Sequence, residues 1–365
     1  MQPKVNIMHL PVYQPGKPIE DVKRELGLDE VIKLASNENP IGFSPKAREA
    51  MLDEIDQLNI YPDGASVELT AVMAKKLGVQ ENQIIFGTGS SDIILMICRA
   101  YLTAEDETVM ANETFSQYKH NCEIENAKIV EVPLKDGRHD LEAMLAAVTD
   151  RTKVVWICNP NNPTGTVVEH EQLVQFLEKM PKHVLVVLDE AYCEYVTADN
   201  FTDGVSLIPQ FSNVVILRTF SKVYGLAANR IGYGIGEASV IRTINQVREP
   251  FNTGRLAQVA AKASLLDDEF LARSVAANSA GLDYLHSAFD RLGLQYFTGH
   301  GNFILVDVRT PSKQIFDLLL RKGIIIRAGW KHYPTWIRVS VGTEQENMKF
   351  VRALEEVLKE LAVLQ

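Results

Sequence analysis

Val214-Val215-Ile216-Leu217-Arg218-Thr219-Phe220-Ser221-Lys222-Val223-Tyr224-Gly225, continuing through Leu226 to Arg230-Ile231-Gly232-Tyr233-Gly234, is the stretch that decides how the chain is read. Its first four residues form an apolar run without polar alternation, the pattern of a strand buried on both faces. The run passes directly into a hydroxyl-rich turn carrying one lysine. Lys222 is therefore expected at a strand's carboxyl end, the edge where open α/β sheets bind ligands. A lysine held among glycines and apolar residues loses its proton more readily than one in water, and the neutral amine attacks carbonyl groups. Thr219 and Ser221 add hydroxyls and Arg230 a fixed cation, a set that suits a phosphate monoester. An aldehyde bearing a phosphate is the ligand this combination points to.

Upstream, short apolar strands alternate with helices. Ile84-Ile85-Phe86 leads into Gly87-Thr88-Gly89-Ser90-Ser91-Asp92 and a helical run to Leu102, a strand, glycine turn and helix N-terminus of the kind that holds anions. Further strands are expected at 108–110, 128–132, 154–158 and 184–188, with helices over Asp140 to Val148 and Glu169 to Met180. The series is βαβ-like and predicts a mostly parallel sheet in a large α/β domain. Two more strands end in polar residues, one in Asn159-Pro160-Asn161-Asn162-Pro163-Thr164-Gly165 and one in Asp189-Glu190-Ala191-Tyr192. Taken singly, Asp189 reads as a cap and the proline loop as punctuation. If these strands neighbour the lysine strand, Asn162, Asp189, Tyr192 and Lys222 open onto one edge.

Beyond Arg230 the texture changes. A helix over Ala238 to about Val247 and a long helical region through Leu292 lead into a smaller α+β segment with strands at 303–307, 324–326 and 336–341. The last alternates, with Ile337, Val339 and Val341 on one face and Arg338 and Ser340 on the other. Glu344 to Leu361 reads as an amphipathic helix with Met348, Val351, Leu354, Leu358 and Leu361 on its apolar side. Residues 1–19 are rich in proline and glycine, which argues for an extended arm lying on another surface. Ser44-Pro45 has the chemistry of a helix start, and Tyr61-Pro62-Asp63-Gly64 that of a turn. The division that follows is 1–45 for the arm and part of the small domain, 46–260 for the large domain and 261–365 for the small one.

Composition sets outer bounds. With 46% hydrophobic and 23% charged residues the 365-residue chain is globular, and its net charge of −10 disfavours nucleic acid as a partner. Cys98, Cys122, Cys158 and Cys193 are scattered without a Cys-x-x-Cys pair, so buried free thiols are expected and no metal site. Neither a signal-peptide pattern nor an apolar run of membrane-spanning length is present, which makes the cytoplasm the expected compartment, with no membrane association.

A Schiff-base lysine, a carboxylate, an Asn/Tyr pair and an anion cradle are the parts that a pyridoxal phosphate enzyme needs. On Tyr-Gln-Pro-Gly-Lys-Pro at 13–18, Ser-Asn-Glu-Asn-Pro at 36–40, Tyr-Pro-Asp-Gly at 61–64, Asn-Pro-Asn-Asn-Pro-Thr-Gly at 159–165, Asp-Glu-Ala-Tyr at 189–192 and the lysine turn, the whole chain resembles the fold-type I aminotransferases. Within them it is similar to the histidinol-phosphate aminotransferases. The resemblance implies an α/β fold-type I architecture, a homodimer and transfer of an amino group between L-histidinol phosphate and 2-oxoglutarate, giving imidazole acetol phosphate and glutamate in histidine biosynthesis. It makes Lys222 the lysine that bonds the cofactor and shuttles the proton, Asp189 the partner of the pyridine nitrogen, and Asn162 and Tyr192 the partners of the phenolate oxygen. It makes Tyr118 the ring-stacking aromatic, and Ser90, Ser91, Thr219, Ser221 and Arg230 the phosphate cradle, with Tyr61 reaching in from a partner subunit. The glycine loop departs from the family's commoner Gly-Ser-Asp-Glu, which leaves open which of Ser90, Ser91 and Asp92 touches the phosphate. Arg338 is expected on the substrate carboxylate, Arg327 and Tyr13 on the substrate phosphate, and Asn37 beside the substrate. The stretch Gly329-Trp330-Lys331-His332-Tyr333-Pro334 is more aromatic and basic than the family pattern, which puts substrate range in question. The alternatives are an aromatic amino-acid or dual-specificity aminotransferase, a decarboxylase of phosphorylated amino acids and, remotely, the cofactor-binding module of a transcription regulator.

Overall fold

Strands buried on both faces, with the partly exposed edge strand Lys128–Val132 beside them, build the central sheet of this computed structural model, which describes residues 1–10, 12 and 18–363. They are β1 (Ile84–Gly87), β2 (Glu107–Ala111), β3 (Lys128–Val132), β4 (Thr152–Cys158), β5 (Leu185–Asp189), β6 (Val214–Thr219) and β7 (Gly232–Gly236), in the spatial order β1-β7-β6-β5-β4-β2-β3. Neighbours from β6 through β3 are parallel, whereas β7 runs antiparallel to both β1 and β6. No strand is expected from the sequence pattern at Gly232-Tyr233-Gly234; the segment is one, and its glycines pack closely against neighbouring chain.

Alternation along each strand feeds two separate cores. Val155, Ile157, Val186, Leu188 and Ile216 pack beneath one layer that includes the helices Pro45–Asp53, Val67–Leu77, His170–Lys179 and Arg255–Leu265. Val154, Trp156, Val187, Val215 and Leu217 pack against the opposite layer of Ser90–Tyr101, Ser116–Ile124 and Ala238–Asn245. A sheet covered on both faces has only its edges and strand ends free for ligands, so the carboxyl ends of β4, β5 and β6 become the place for a site. Ser44 caps Pro45–Asp53 by accepting from the Lys46 and Ala47 amides, as the Ser-Pro pair predicts.

A second, antiparallel sheet is formed by β8 (Gln295–Tyr296), β9 (Phe303–Asp307), β10 (Arg327–Trp330) and β11 (Tyr333–Ser340), in the order β10-β11-β9-β8. Ile304, Val306, Ile337 and Val339 pack under it against Leu285, Phe289, Phe350, Leu354 and Val357, while Arg338 and Ser340 face the other way. Met348, expected on the apolar side of the last helix, is 47% exposed; Phe350 and Val357 are buried there instead. The long helical region before β8 is two helices, Arg255–Leu265 and Asp268–Arg291, the second starting on the buried cap residue Asp267. Ile32–Lys33 pairs in parallel with Ile324–Ile325, which brings the 34–39 segment across the mouth of the large sheet. No helix among the described residues is long and apolar enough to cross a membrane.

Candidate active site

The register of three parallel strands assembles the site. Cys158 lies beside Asp189 and Asp189 beside Leu217, so the loops after β4, β5 and β6 emerge side by side. They open into one cavity of about 1270 Å³ whose walls include Asn162, Asp189, Tyr192, Thr219, Ser221 and Lys222. Ser90, Ser91, Arg230, Asn37, Arg327 and Arg338 also line it. Of the residues singled out from sequence, Tyr118 and Tyr61 stand outside this cavity, the second 76% exposed and stacked on Phe251, and Tyr13 lies outside the described residues.

Lys222 is half-buried, and its Nζ donates to the Ser36 carbonyl at 3.1 Å. Burial, reinforced by the positive charges of Arg338 and Arg230, lowers its ammonium to about 8, against the opposing pull of Glu38 and Asp189. The amine thus becomes neutral at lower pH than an ordinary lysine does. Asp189 is buried, which raises its carboxyl to about 6. The Tyr118 hydroxyl donating at 2.6 Å and the Ala191 amide at 3.2 Å hold that rise back.

Tyr118 departs from expectation. It has no exposed surface, stacks on Trp156 at 4.9 Å and spends its hydroxyl on Asp189, so it cannot lie on a ring in the cavity. Phe115 lines the cavity instead. The signal was positional: Phe115 is the residue before the helix Ser116–Ile124 and stands in the loop beyond a strand end, whereas Tyr118 is one turn inside, facing the apolar sheet.

The cradle is built from a helix start and a cation. Arg230 adopts a left-handed backbone with φ 53°, and its guanidinium reaches Ser221 Oγ at 3.4 Å and the Thr88 carbonyl at 3.5 Å, ahead of the helix Ser90–Tyr101. A Cβ on Gly232 would stand 2.3 Å from the Ser90 nitrogen. Only glycine lets β7 pass this close to the helix N-terminus, whose amides attract anions.

Across the cavity, Arg327 and Arg338 are direct cross-strand partners. Like charges placed opposite one another destabilise a hairpin, so the pair is a feature an anion would relieve. Arg338 donates to Asn162 Oδ1 at 2.5 Å and to the Ala35 carbonyl at 2.7 Å, and its guanidinium lies 5.2 Å from the Phe303 ring centroid. Asn37 is 1% exposed and donates to Tyr192 Oη at 3.0 Å. At the hairpin tip the His332 amide and Nδ1 both reach the buried Glu113 Oε1 at 2.8 Å, a contact that pattern reading missed.

Residues 29–354 match the family model for aminotransferase class I and II. The chain belongs to the class I and II aminotransferases. It is 53% identical to a histidinol-phosphate aminotransferase of Brevibacillus brevis over 98% of this chain and 99% of that one. It is 51% identical to the Bacillus subtilis (strain 168) enzyme of the same name over 98% of this chain and 100% of that one. Among solved structures, the histidinol-phosphate aminotransferase of Sinorhizobium meliloti in complex with pyridoxal-5'-phosphate matches with a TM-score of 0.91 and 29% identity, covering 98% and 97% of the two chains. The donor set of the cavity fits this family's cofactor: an amine of lowered pKa for the aldehyde, a buried carboxylate for the ring nitrogen, and a helix start with an arginine for the phosphate.

Proposed function

We propose that this aminotransferase moves the amino group between L-histidinol phosphate and 2-oxoglutarate. The observation that carries the reading is one cavity whose lining joins Lys222 to two walls suited to anions: Ser90, Ser91 and Arg230 in one, the cross-strand pair Arg327 and Arg338 in the other. The first wall takes the cofactor's phosphate, and the second takes the carboxylates and the phosphate of the substrates.

Bound pyridoxal phosphate supplies an aldehyde that condenses with amines and a ring that accepts the electrons left on the substrate's α-carbon. The chain does the rest. Ser90, Ser91, Thr219, Ser221 and Arg230 would hold its phosphate, Asp189 would partner the ring nitrogen as a carboxylate, and Phe115 would cover the ring. Asn162 and Tyr192 would hold the phenolate oxygen. Lys222 would anchor the cofactor through Nζ, and the same nitrogen, as a free amine, would take the proton from the substrate's α-carbon and return it. Arg338 orients the substrate carboxylate, which fixes the α-carbon relative to Nζ, and Arg327 reads the far end.

The chain's apolar side chains are exposed in a run from 41 to 67, including Leu52, Ile55, Leu58, Ile60 and Tyr61. We infer that this face is covered by a second copy, which would carry Tyr61 to the partner's phosphate cradle. The decisive assay compares kcat/KM for histidinol phosphate and phenylalanine in wild type and Arg327→Ala. Selective loss with the phosphorylated substrate, by about 100-fold for a charge-assisted contact of about 3 kcal/mol, is expected. Equal losses would count against this reading and favour an aromatic amino-acid aminotransferase.

A further inference from the structure

Two hydrogen-bond chains converge on the hydroxyl of Tyr192, and the far end of each fixes its direction. Arg338 can only donate, so Asn162 receives its Nη1 on Oδ1 at 2.5 Å, which turns the Asn162 amide nitrogen toward Tyr192 Oη at 3.3 Å. On the other side the backbone amide of Asn37 donates to Ser340 Oγ at 2.9 Å. The Ser340 hydroxyl proton is then directed to Asn37 Oδ1, 2.8 Å away. That contact leaves the Asn37 amide nitrogen facing Tyr192 Oη at 3.0 Å.

A phenolic oxygen has two lone pairs, and here both are occupied by amide donors. The Tyr192 proton cannot point back at either asparagine. Burial raises the phenol to about 12, so the proton is retained at neutral pH, and the residue borders the cavity.

We propose that Ser340 and Asn37 are positioning residues that, with the arm from Arg338 through Asn162, commit the Tyr192 hydroxyl to donate into the cavity, toward an anionic ligand oxygen. The identity of that oxygen rests on the reading above, in which it is the phenolate of pyridoxal phosphate. Asn37, expected from sequence to bind substrate, thereby acts through Tyr192. Its left-handed backbone, φ 54°, is a conformation that asparagine tolerates well and that aims the amide. The arm through Ser340 comes from β11, two residues after Arg338, so one strand supplies both ends of the arrangement.

The test reverses the direction without changing the shape. Asn37→Asp keeps the left-handed tolerance and the acceptor for Ser340, but its second oxygen can only accept, so it takes the Tyr192 proton away from the cavity. Asn37→Ala removes a donor without offering an acceptor, and Ser340→Ala frees the Asn37 amide to turn over. In each holoenzyme the pH titration of the cofactor's visible absorption band is measured, together with cofactor content and kcat. A donor to the phenolate oxygen lowers the affinity of the neighbouring cofactor–lysine linkage for its proton, so losing it raises the titration midpoint. Asn37→Asp should raise the midpoint by a unit or more and lower kcat at least tenfold. Ser340→Ala should shift it the same way by less, and Asn37→Ala should fall between. A merely structural role predicts the opposite order, with the isosteric aspartate the mildest change. An unmoved midpoint in Asn37→Asp, or a larger shift in Asn37→Ala, overturns the inference. If Asn37→Asp does not fold, an unshifted midpoint in Ser340→Ala overturns it equally. A wild-type protein that develops no visible band with pyridoxal phosphate would instead overturn the functional reading on which the inference rests.

Discussion

Tyr118 touches the site's carboxylate from behind, without touching the cavity. Its hydrogen bond favours the ionised form of Asp189 and so works against the burial that raises that group to about 6. Tyr118→Phe removes the bond and leaves the burial, so the carboxyl must rise further. Because a cationic ring nitrogen needs an ionised partner, the acid limb of the kcat/KM profile should move to higher pH by about one unit, the size of a hydrogen bond of about 1.4 kcal/mol. A limb that stays in place would detach Asp189 from the reaction. Lys222 obeys the opposite sign. Its folded value of about 8 lies below the ordinary 10.5, so the unfolded chain binds more protons between those values. Stability contributed by this residue therefore rises with pH through that window. In the cofactor-free protein, the difference in denaturation midpoint between wild type and Lys222→Met should shrink as pH goes from 7 to 10, with the methionine variant the more stable at pH 7. Wild type equally stable at pH 7 would mean the amine is solvated rather than held dry.

At the level of elements, two loops hold reactive residues against other parts of the fold. The β10–β11 hairpin carries Arg327 and Trp330 and is pinned at its tip by His332 on Glu113, a residue of the loop that also presents Phe115. Glu113→Ala should loosen the hairpin and raise KM for the phosphorylated amine by about tenfold, as expected for losing a hydrogen bond to a charged group, with kcat little changed. His332→Ala should do the same, and the double variant should add little to either, because both act through one contact. Additive losses would show the two residues working apart. The lysine turn has a different anchor. Gly225 sits at φ 70°, and a Cβ there would stand 1.9 Å from the Gly42 carbonyl oxygen. Gly225→Ala should cost at least about 1 kcal/mol through the backbone alone and more through the collision. A lowered Tm with weaker cofactor retention is the expected outcome, since the loop it presses on, 39–43, begins two residues after Asn37.

Over the whole molecule, what sequence made legible was the repetition of one pattern. Three unbroken apolar runs, each ending in Asn, Asp or a Ser-Lys pair, marked β4, β5 and β6 as buried parallel strands and their ends as a shared edge. What it hid depended on tertiary context. β7 alternates glycine with apolar residues, and those glycines are required by the approach of the Ser90 helix and of neighbouring strands rather than by a turn. The Glu113–His332 contact joins residues 219 apart, beyond any local periodicity, and the choice between Phe115 and Tyr118 turned on where a helix begins. The exposed apolar run from 41 to 67 belongs to the same scale, and the proposed second copy would cover it. Single exposed apolar residues are ordinary, but a concentrated patch marks an interaction surface. If it joins two copies, Leu58→Lys combined with Ile60→Lys should convert a sedimenting dimer into monomers with near-native circular dichroism, because both side chains are more than half exposed within one copy. Activity should fall with the dimer, since Tyr61 would no longer reach the neighbouring cradle, and Tyr61→Phe in an intact dimer should weaken pyridoxal phosphate retention without altering sedimentation. A charged variant that remains dimeric, or a monomer with full activity, would separate this face from the reaction.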